Sequence, residues 1–559
     1  MRFQKRIQIP LFIFFLFLLW MASFPLPQWV DVGWFLKLDP LVSLGTMAVA
    51  RSFIPGLAWG LAVVGIGLVI GRVFCGYICP MGTTIDVADR ILRDKRTSKR
   101  NSFEEMDRFR SLKYLILAGL AVSALLGLGW HFFFSPLSII TRFYALVLYP
   151  VFTLFTSILV TVFGPLFSAL GFDTLSFVQV RVPYFSTNLF VAAMVATILL
   201  LGMVQPRFWC RNLCPAGAIL GLCSRRPLFR RSVSEACTGC GRCLRACPTS
   251  AISSDYVTTA HSECIMCLKC QEVCPEKAVS FNPGKGGSFP SREIDVSRRK
   301  FIAAGVTGAA LSAVSMTNLH HLHGGLDPRA LRSSTLIRPP GALPEPIFQD
   351  RCIRCGECVK GCLTNTLQLV WLEAGISGLW TPKIAARLAG CEQNCNLCGH
   401  VCPTGAIRPL SPDEKQYAKI GTARIVSSRC IAWEQNKRCL ICDEICPYNA
   451  ISSQFVAGHT VTVPVVDENK CNGCGYCENK CPVEGESAVV VEPLGELRLA
   501  SGSYKEKAEE LGLVFHARGG VEDHFILNEP APKEGSGVKL ETGGSSGESG
   551  LPPGFTEEK

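Results

Sequence analysis

Twenty-four of the chain's 29 cysteines fall into six runs of four, each close to C-x-x-C-x-x-C-x-x-x-C. Thiolates at that spacing can wrap iron-sulfur cubes: three from the tight loop take one cluster, and the fourth, usually before proline, reaches a neighbouring one. The first two runs are Cys237, Cys240, Cys243, Cys247 and Cys264, Cys267, Cys270, Cys274, with Pro248 and Pro275 after the fourth cysteines. One [4Fe-4S] cluster is therefore expected on Cys237, Cys240, Cys243 and Cys274, and its neighbour on Cys264, Cys267, Cys270 and Cys247. Structural zinc also uses C-x-x-C, but normally as two pairs set well apart, without a fourth cysteine before proline.

This pair closely resembles bacterial two-cluster ferredoxins. The unit recurs at Cys352, Cys355, Cys358, Cys362, then Cys391, Cys395, Cys398, Cys402, then Cys430, Cys439, Cys442, Cys446, then Cys471, Cys474, Cys477, Cys481. Small-apolar pairs follow most fourth cysteines (Ala251-Ile252, Ala278-Val279, Ala406-Ile407, Ala450-Ile451, Ala488-Val489) and predict short strands in a repeated folding unit. The runs depart from the pattern at Leu363 in place of proline, at the C-x-x-x-C opening on Cys391, and at the long gap from Cys430 to Cys439. Resemblance to four-cluster electron-transfer subunits implies that the first of these four runs exchanges its fourth cysteine with the last, and that the middle two exchange theirs. Cys481 would then join Cys352, Cys355 and Cys358, and Cys362 would join Cys471, Cys474 and Cys477. Cys446 would join Cys391, Cys395 and Cys398, and Cys402 would join Cys430, Cys439 and Cys442. Six [4Fe-4S] clusters are expected in all.

Four further cysteines form two C-x-x-x-C-P motifs, Cys75 and Cys79 in FCGYICP and Cys210 and Cys214 in WCRNLCP, each after an apolar helix. Spacing i, i+4 predicts both sulfurs on one helical face. Two such faces could hold a seventh cluster or another metal, act as a thiol/disulfide pair, or simply be packed thiols. Cys223 has no partner in the pattern and is read as structural.

The elements that must position these groups are apolar. The chain is 48% hydrophobic and 18% charged, and residues 8–24, 54–73, 112–130 and 187–205 each approach the ~20 apolar residues that span a bilayer. Basic residues between Arg90 and Lys113, and between Arg207 and Arg231, predict a cytoplasmic location for both C-x-x-x-C-P motifs. DPLVSL at 39–44 matches SPLSII at 135–140, so the region reads as two halves, each helix, Pro-Leu turn, helix, cysteine pair. In that register 138–172 is an outer hairpin or re-entrant segment broken near Pro150. His131 and Arg142 near that face are candidate quinone contacts, by the rule that intramembrane ionisable groups mark function, while Trp130 fits an interfacial aromatic belt.

SRRKFI at 297–302 and the Ala-rich run to Met316 resemble a twin-arginine export signal. Whether it acts as a signal or as a plain helix, this segment sends the residues after about 318 to the periplasm. With RCIRCGEC at 351–358, GCEQNCNLC at 390–398 and SRCIAW at 428–433, the later part resembles the NapG/MauM group of periplasmic polyferredoxins. The first 282 residues resemble NapH, the membrane quinol-dehydrogenase partner of NapG, so the chain resembles a NapH-NapG fusion.

The expected organisation is multi-domain. Residues 1–231 form an α-helical membrane bundle of four main helices from two repeats plus the outer hairpin. An α+β two-cluster cytoplasmic ferredoxin domain comes next at 232–285, then a signal/anchor helix and linker at 286–345. An α+β four-cluster periplasmic domain covers 346–528, and a disordered tail 529–559. The resemblance implies a protein of the bacterial inner membrane that oxidises quinol, menaquinol or another, and passes electrons to a periplasmic reductase or cytochrome, with other membrane redox subunits as further candidate partners. It would be either a quinol dehydrogenase subunit or an electron carrier. The alternative is an assembly or regulatory accessory protein of the NosR or copper-oxidase type. Net charge of +11 is read as membrane orientation, with no nucleic-acid face. His320, His321 and His323 read as linker, and no C-x-x-C-H for c-type haem occurs.

Overall fold

Apolar runs set the helical half of the molecule, and cysteine loops closed by short ladders set the rest. The computed structural model describes residues 3–26, 29–92, 109–169, 180–283, 296–316, 336–371 and 373–515. All lie within one unit, Met1–Gly520. The expected tail and His320, His321 and His323 fall outside the described residues.

Among the described residues the α-helices of eight residues or more are α1 (Phe3–Met21), α2 (Pro40–Ala50), α3 (Ala58–Ile70), α4 (Pro80–Leu92), α5 (Leu112–Leu125), α6 (Pro136–Phe143), α7 (Tyr149–Ala169), α8 (Asn188–Leu200), α9 (Pro215–Cys223) and α10 (Arg298–Met316). Two stretches, Phe3–Met21 and Pro136–Pro165, are long and apolar enough to cross a membrane, and several shorter apolar helices pack with them.

The two-half reading has a physical signature. Asp39 and Ser135 cap α2 and α6, accepting from the Leu41 and Ser138 amides at 2.9 and 3.1 Å, and proline follows each cap, where its missing N–H costs nothing. The two caps meet: Ser135 Oγ donates to Asp39 Oδ2 at 2.7 Å, with both residues fully buried.

The expected outer hairpin is corrected. α6 runs into α7 through a π-helical turn, Tyr144–Leu148, with no reversal at Pro150. Across the wide turn the Tyr149 amide donates to the Tyr144 carbonyl, so Pro150 sits just inside a fresh helical start, where a missing donor is tolerated.

α10 lies along α5 through small residues. A Cβ on Gly308 would meet the Gly119 carbonyl at 2.4 Å, and Ser312 Oγ donates to Ser123 Oγ at 3.1 Å. Close backbone approach of this kind is how apolar helices associate where lipid removes the hydrophobic driving force.

The cysteine runs fold into three equivalent units. β1 (Phe229–Val233) pairs antiparallel with β2 (Val279–Pro283), enclosing the first two runs. β5 (Thr422–Ile425) pairs with β8 (Val489–Glu492) around the last two, and the Ala342–Ile407 bridge closes the middle unit in the same way. Inside each lies a second pairing between the runs: the Ile252–Thr259 bridge, β3 (Leu367–Leu369) with β4 (Pro382–Ile384), and β6 (Ile451–Gln454) with β7 (Val463–Val466). The strands expected after the fourth cysteines thus begin at Val279, Ile451 and Val489, while Ile252 and Ile407 form single bridges.

α1 connects both ends of the assembly. The Phe3 amide donates to Glu272 of the two-cluster unit at 3.0 Å. At the other end Lys360 Nζ, between Cys358 and Cys362 in the first cysteine run of the later part, donates to the carbonyls of Leu19, Trp20 and Ala22 at 2.8, 3.1 and 2.8 Å. A helix of 19 residues at about 1.5 Å per residue separates these contacts by about 28 Å.

Candidate iron-sulfur sites

In four of the six runs, the residues on either side of the second cysteine are left-handed: Gly239 and Gly241, Met266 and Leu268, Arg354 and Gly356, Gly473 and Gly475. This repeated twist curls each loop around a central void. Glycine accepts it freely, whereas Met266, Leu268 and Arg354 hold it with a Cβ, a conformation that persists only when surrounding structure enforces it. The runs opening on Cys391 and Cys430, which depart in spacing, lack the pair.

Cys237, Cys240, Cys243 and Cys274 line one void, and Cys247, Cys264, Cys267 and Cys270 the next, matching the expected crossing of fourth cysteines. In the later part the expected exchange is corrected. Cys402, not Cys481, joins Cys352, Cys355 and Cys358, and Cys362, not Cys446, joins Cys391, Cys395 and Cys398. Cys446 joins Cys471, Cys474 and Cys477, while Cys481 lies with Cys430, Cys439 and Cys442. Each ladder encloses two consecutive runs, so a fourth cysteine can reach only its neighbour.

Each of the five voids is lined by four of these cysteines. Among the described residues no three His, Cys, Asp or Glu side chains converge tightly enough for a single metal ion. A four-sulfur shell that does not close on a single point fits a cube better than one tetrahedral zinc. Burial pushes the Cys264 and Cys442 thiols up to about 12, so a metal would have to displace their protons on binding. Backbone amides of Ala251, Ala450 and Ala423 donate to the sulfurs of Cys247, Cys446 and Cys471, each at 3.3 Å, and such bonds tune a cluster's potential. Arg231, almost fully buried, lines both voids of the first unit.

Cys75, Cys79, Cys210 and Cys214 are brought together: Cys79 lies within electrostatic reach of the other three, Cys214 of Cys75 and Cys210, and Cys210 of Cys75. The expectation of two sulfurs on one α-helical face is corrected, because both motifs form π-helical turns, Phe74–Ile78 and Trp209–Leu213. Each turn closes on its second cysteine, whose amide donates five residues back, Cys79 to Phe74 at 3.0 Å and Cys214 to Trp209 at 2.9 Å. The second cysteine then turns extended and starts the next helix. The Gly217 amide donates to Cys214 Sγ at 3.3 Å, and Gly82 does the same for Cys79. Cys223 is half-buried next to Gly67, away from any cysteine run.

Sequence reasoning missed Arg72 and Arg207, both 1% exposed, which contact the quartet's backbone. The available signal was an arginine three residues before the first cysteine of each motif. It also missed Glu263, which binds Arg72 at 3.0 Å and Lys113 at 2.5 Å. Burial alone would raise this carboxyl, but Lys113, Arg72 and Arg110 outweigh it and hold Glu263 down at about 2.

His131 and Arg142 reach one seam between the helices and the four-cluster part. His131 Nε2 lies 3.2 Å from Thr46 Oγ1. Arg142 Nε donates to the Arg354 carbonyl at 2.8 Å, and its guanidinium stacks 4.4 Å from the Trp380 ring centre. Trp380 and Arg354 both line the void of Cys352, Cys355, Cys358 and Cys402.

Comparison with known proteins agrees with this geometry. A "4Fe-4S binding domain" family matches residues 52–99 and 187–234, which contain the two halves of the quartet, and two "4Fe-4S dicluster domain" families match 230–275 and 436–484. The methylamine utilization ferredoxin-type protein MauM of Methylophilus methylotrophus is 38% identical over 174 residues, 30% of this chain and 75% of that protein. MauM of Methylorubrum extorquens is 33% identical over 35% of this chain and 89% of its own length. The ferredoxin-type protein NapG of Escherichia coli is 35% identical over 207 residues, 35% of this chain and 86% of that protein. A chain that matches three 4Fe-4S families and shares the cysteine-rich sequence of these proteins carries multiple [4Fe-4S] clusters for electron transfer, and it belongs to the MauM/NapG family of ferredoxin-type proteins.

Proposed function

We propose that this chain is a quinol-linked electron conduit of the bacterial cytoplasmic membrane, with six [4Fe-4S] clusters in its three two-cluster units and a seventh centre in the Cys75, Cys79, Cys210, Cys214 quartet. The observation that carries the reading is α1: one end binds the two-cluster unit, the other the four-cluster part, about one bilayer core apart. On this reading the two-cluster unit is cytoplasmic and the four-cluster part periplasmic. α10 makes the crossing between them as a retained helix. Each cluster, when bound, accepts and passes one electron at a time.

The chain's own residues supply placement. Tyr77 Oη donates to the Met266 carbonyl at 2.8 Å, holding the Cys264, Cys267, Cys270, Cys247 shell against the quartet. One buried core then runs from Cys79 and Cys214 to Ile353 and Cys355 without a break. Packed side chains thus fill the path between the quartet and the shell of Cys352, Cys355, Cys358 and Cys402. Among the described residues His131 Nδ1 and two guanidinium nitrogens of Arg142 have no hydrogen-bond partner, which supports this seam as the place where a quinol head group meets the first periplasmic cluster. The acceptor beyond is a periplasmic reductase or cytochrome.

The test is anaerobic purification, iron analysis and addition of a menaquinol analogue, followed by EPR. Reduction of the clusters on mixing is expected, slowed by Arg142→Gln. Absence of reduction by any quinol would overturn the quinol step.

A further inference from the structure

Arg72 and Arg207 occupy equivalent places in the two halves, three residues before Cys75 and three before Cys210. Each reaches into the other half. Arg72 Nη2 donates to the Cys210 carbonyl at 3.4 Å, and Arg207 Nη1 donates to the Cys75 carbonyl at 3.3 Å. The crossing extends to the glycines that start the next helices: a Cβ on Gly217 would lie 2.7 Å from Arg72 Nη2, and one on Gly82 would lie 3.8 Å from Arg207 Nη2. Carboxylates hold both arginines from behind. Asp86 takes Arg207 through two bonds, 2.7 Å from Nε and 2.6 Å from Nη2, and Glu263 takes Arg72 at 3.0 Å.

Four thiolates closing on one buried site carry more negative charge than a low-dielectric interior tolerates unless cations stand beside them. Helix packing alone would not need two desolvated guanidinium groups, each almost completely shielded from water and each bound to the opposite motif. Arginine suits the task because its planar fork holds a carboxylate with one edge while other N–H groups reach a carbonyl.

We propose that Arg72 and Arg207 are the positioning residues of the cysteine quartet: their crossed bonds set the separation of the two motifs, and their charge raises the reduction potential of the centre held there. Glu263 adds a second consequence. It directly precedes Cys264, so Arg72 and Lys113 tie the quartet's charge balance to the neighbouring cluster shell, and docking of the two-cluster unit completes the quartet's surroundings. This inference rests on the reading that the quartet holds an iron-sulfur centre.

The test is an anaerobic redox titration followed by EPR, with iron analysis, on the full chain and on Arg72→Gln, Arg207→Gln and the two lysine variants. Iron for seven clusters is expected in the unaltered protein. Each glutamine variant should lose the signal of one centre, or shift its midpoint downward, while the other six keep theirs. Lysine, which keeps the charge and loses the fork, should restore part of the shift. Iron for seven clusters with every midpoint unchanged in the glutamine variants would overturn the inference alone. Equal loss of all centres in glutamine and lysine variants would also overturn it, by assigning the arginines to folding. Iron for only six clusters in the unaltered protein would remove the quartet reading itself, and the inference with it.

Discussion

Arg142 Nε donates to the carbonyl of Arg354 at 2.8 Å, joining a helix of the apolar bundle to the loop between Cys352 and Cys355. Both side chains lie at the seam, with the Arg354 guanidinium 3.6 Å from the Phe132 ring centre and that of Arg142 on Trp380. Arg142→Gln removes a charged hydrogen bond worth about 1.5–3 kcal/mol, together with a positive charge next to one cluster shell. Faster proteolytic release of the four-cluster part is expected, and a lower midpoint for that cluster alone in an EPR titration.

Lys360 makes an independent clamp at the end of α1 and also lies 4.6 Å from the Tyr149 ring centre. Lys360→Met leaves the buried carbonyls of Leu19 and Ala22 without their donor, at a cost of about 2–4 kcal/mol. Hydrogen exchange should accelerate in the last turn of α1 and remain unchanged near Phe3. Equal exchange in both proteins would refute the clamp.

Cluster sharing can be read from iron. Cys352→Ser and Cys402→Ser alter one shell, so the double variant should lose no more iron than the more severe single variant. Cys352→Ser with Cys362→Ser touches two shells, and its losses should add. Additive loss for Cys352 with Cys402 would restore the exchange implied by four-cluster subunits.

The α5–α10 contact depends on two glycines. Ser123→Cys with Ser312→Cys should cross-link on mild oxidation, since the two hydroxyls lie 3.1 Å apart. Adding Gly308→Leu places side-chain atoms on the Gly119 backbone and should abolish the cross-link. Persistence of the cross-link would mean that the helices meet elsewhere.

His261 is buried and accepts from the Arg231 amide at 3.2 Å. Burial, with Arg230 and Arg231 nearby, lowers its pKa from 6.5 to about 4 despite a bond to Thr259. The unfolded chain therefore binds a proton between pH 6.5 and about 4 that the folded unit refuses, and stability falls with falling pH by up to about 1.4 kcal/mol per unit. The urea concentration that releases the first two clusters should drop between pH 7 and pH 5. In His261→Gln that difference should shrink, and an undiminished difference would assign it to another group.

Much of the chemistry was legible because cluster ligation is local. Three sulfurs within seven residues can hardly avoid a common centre, so the loops at Cys237 and Cys264 could be assigned from spacing alone. The four helices of the two repeats were likewise visible as apolar runs, and the Pro-Leu repeat identified two caps that prove to touch. What failed was non-local. The hairpin expected near Pro150 ignored a π-helical turn, which carries no strong sequence mark. The exchange of fourth cysteines was borrowed from another architecture.

The sequence by itself determined which cysteines stand at cluster spacing, the helices beside them and the family that shares them, since these depend on spacing, hydropathy and similarity along the chain. Only the tertiary structure decided that Cys402 completes the shell of Cys352, because ladder closure chooses among equally reachable thiols. It also decided that Arg72 and Arg207 cross between the halves. Nothing along a chain says which buried charge will face which, and desolvation makes that pairing obligatory once the two halves have met.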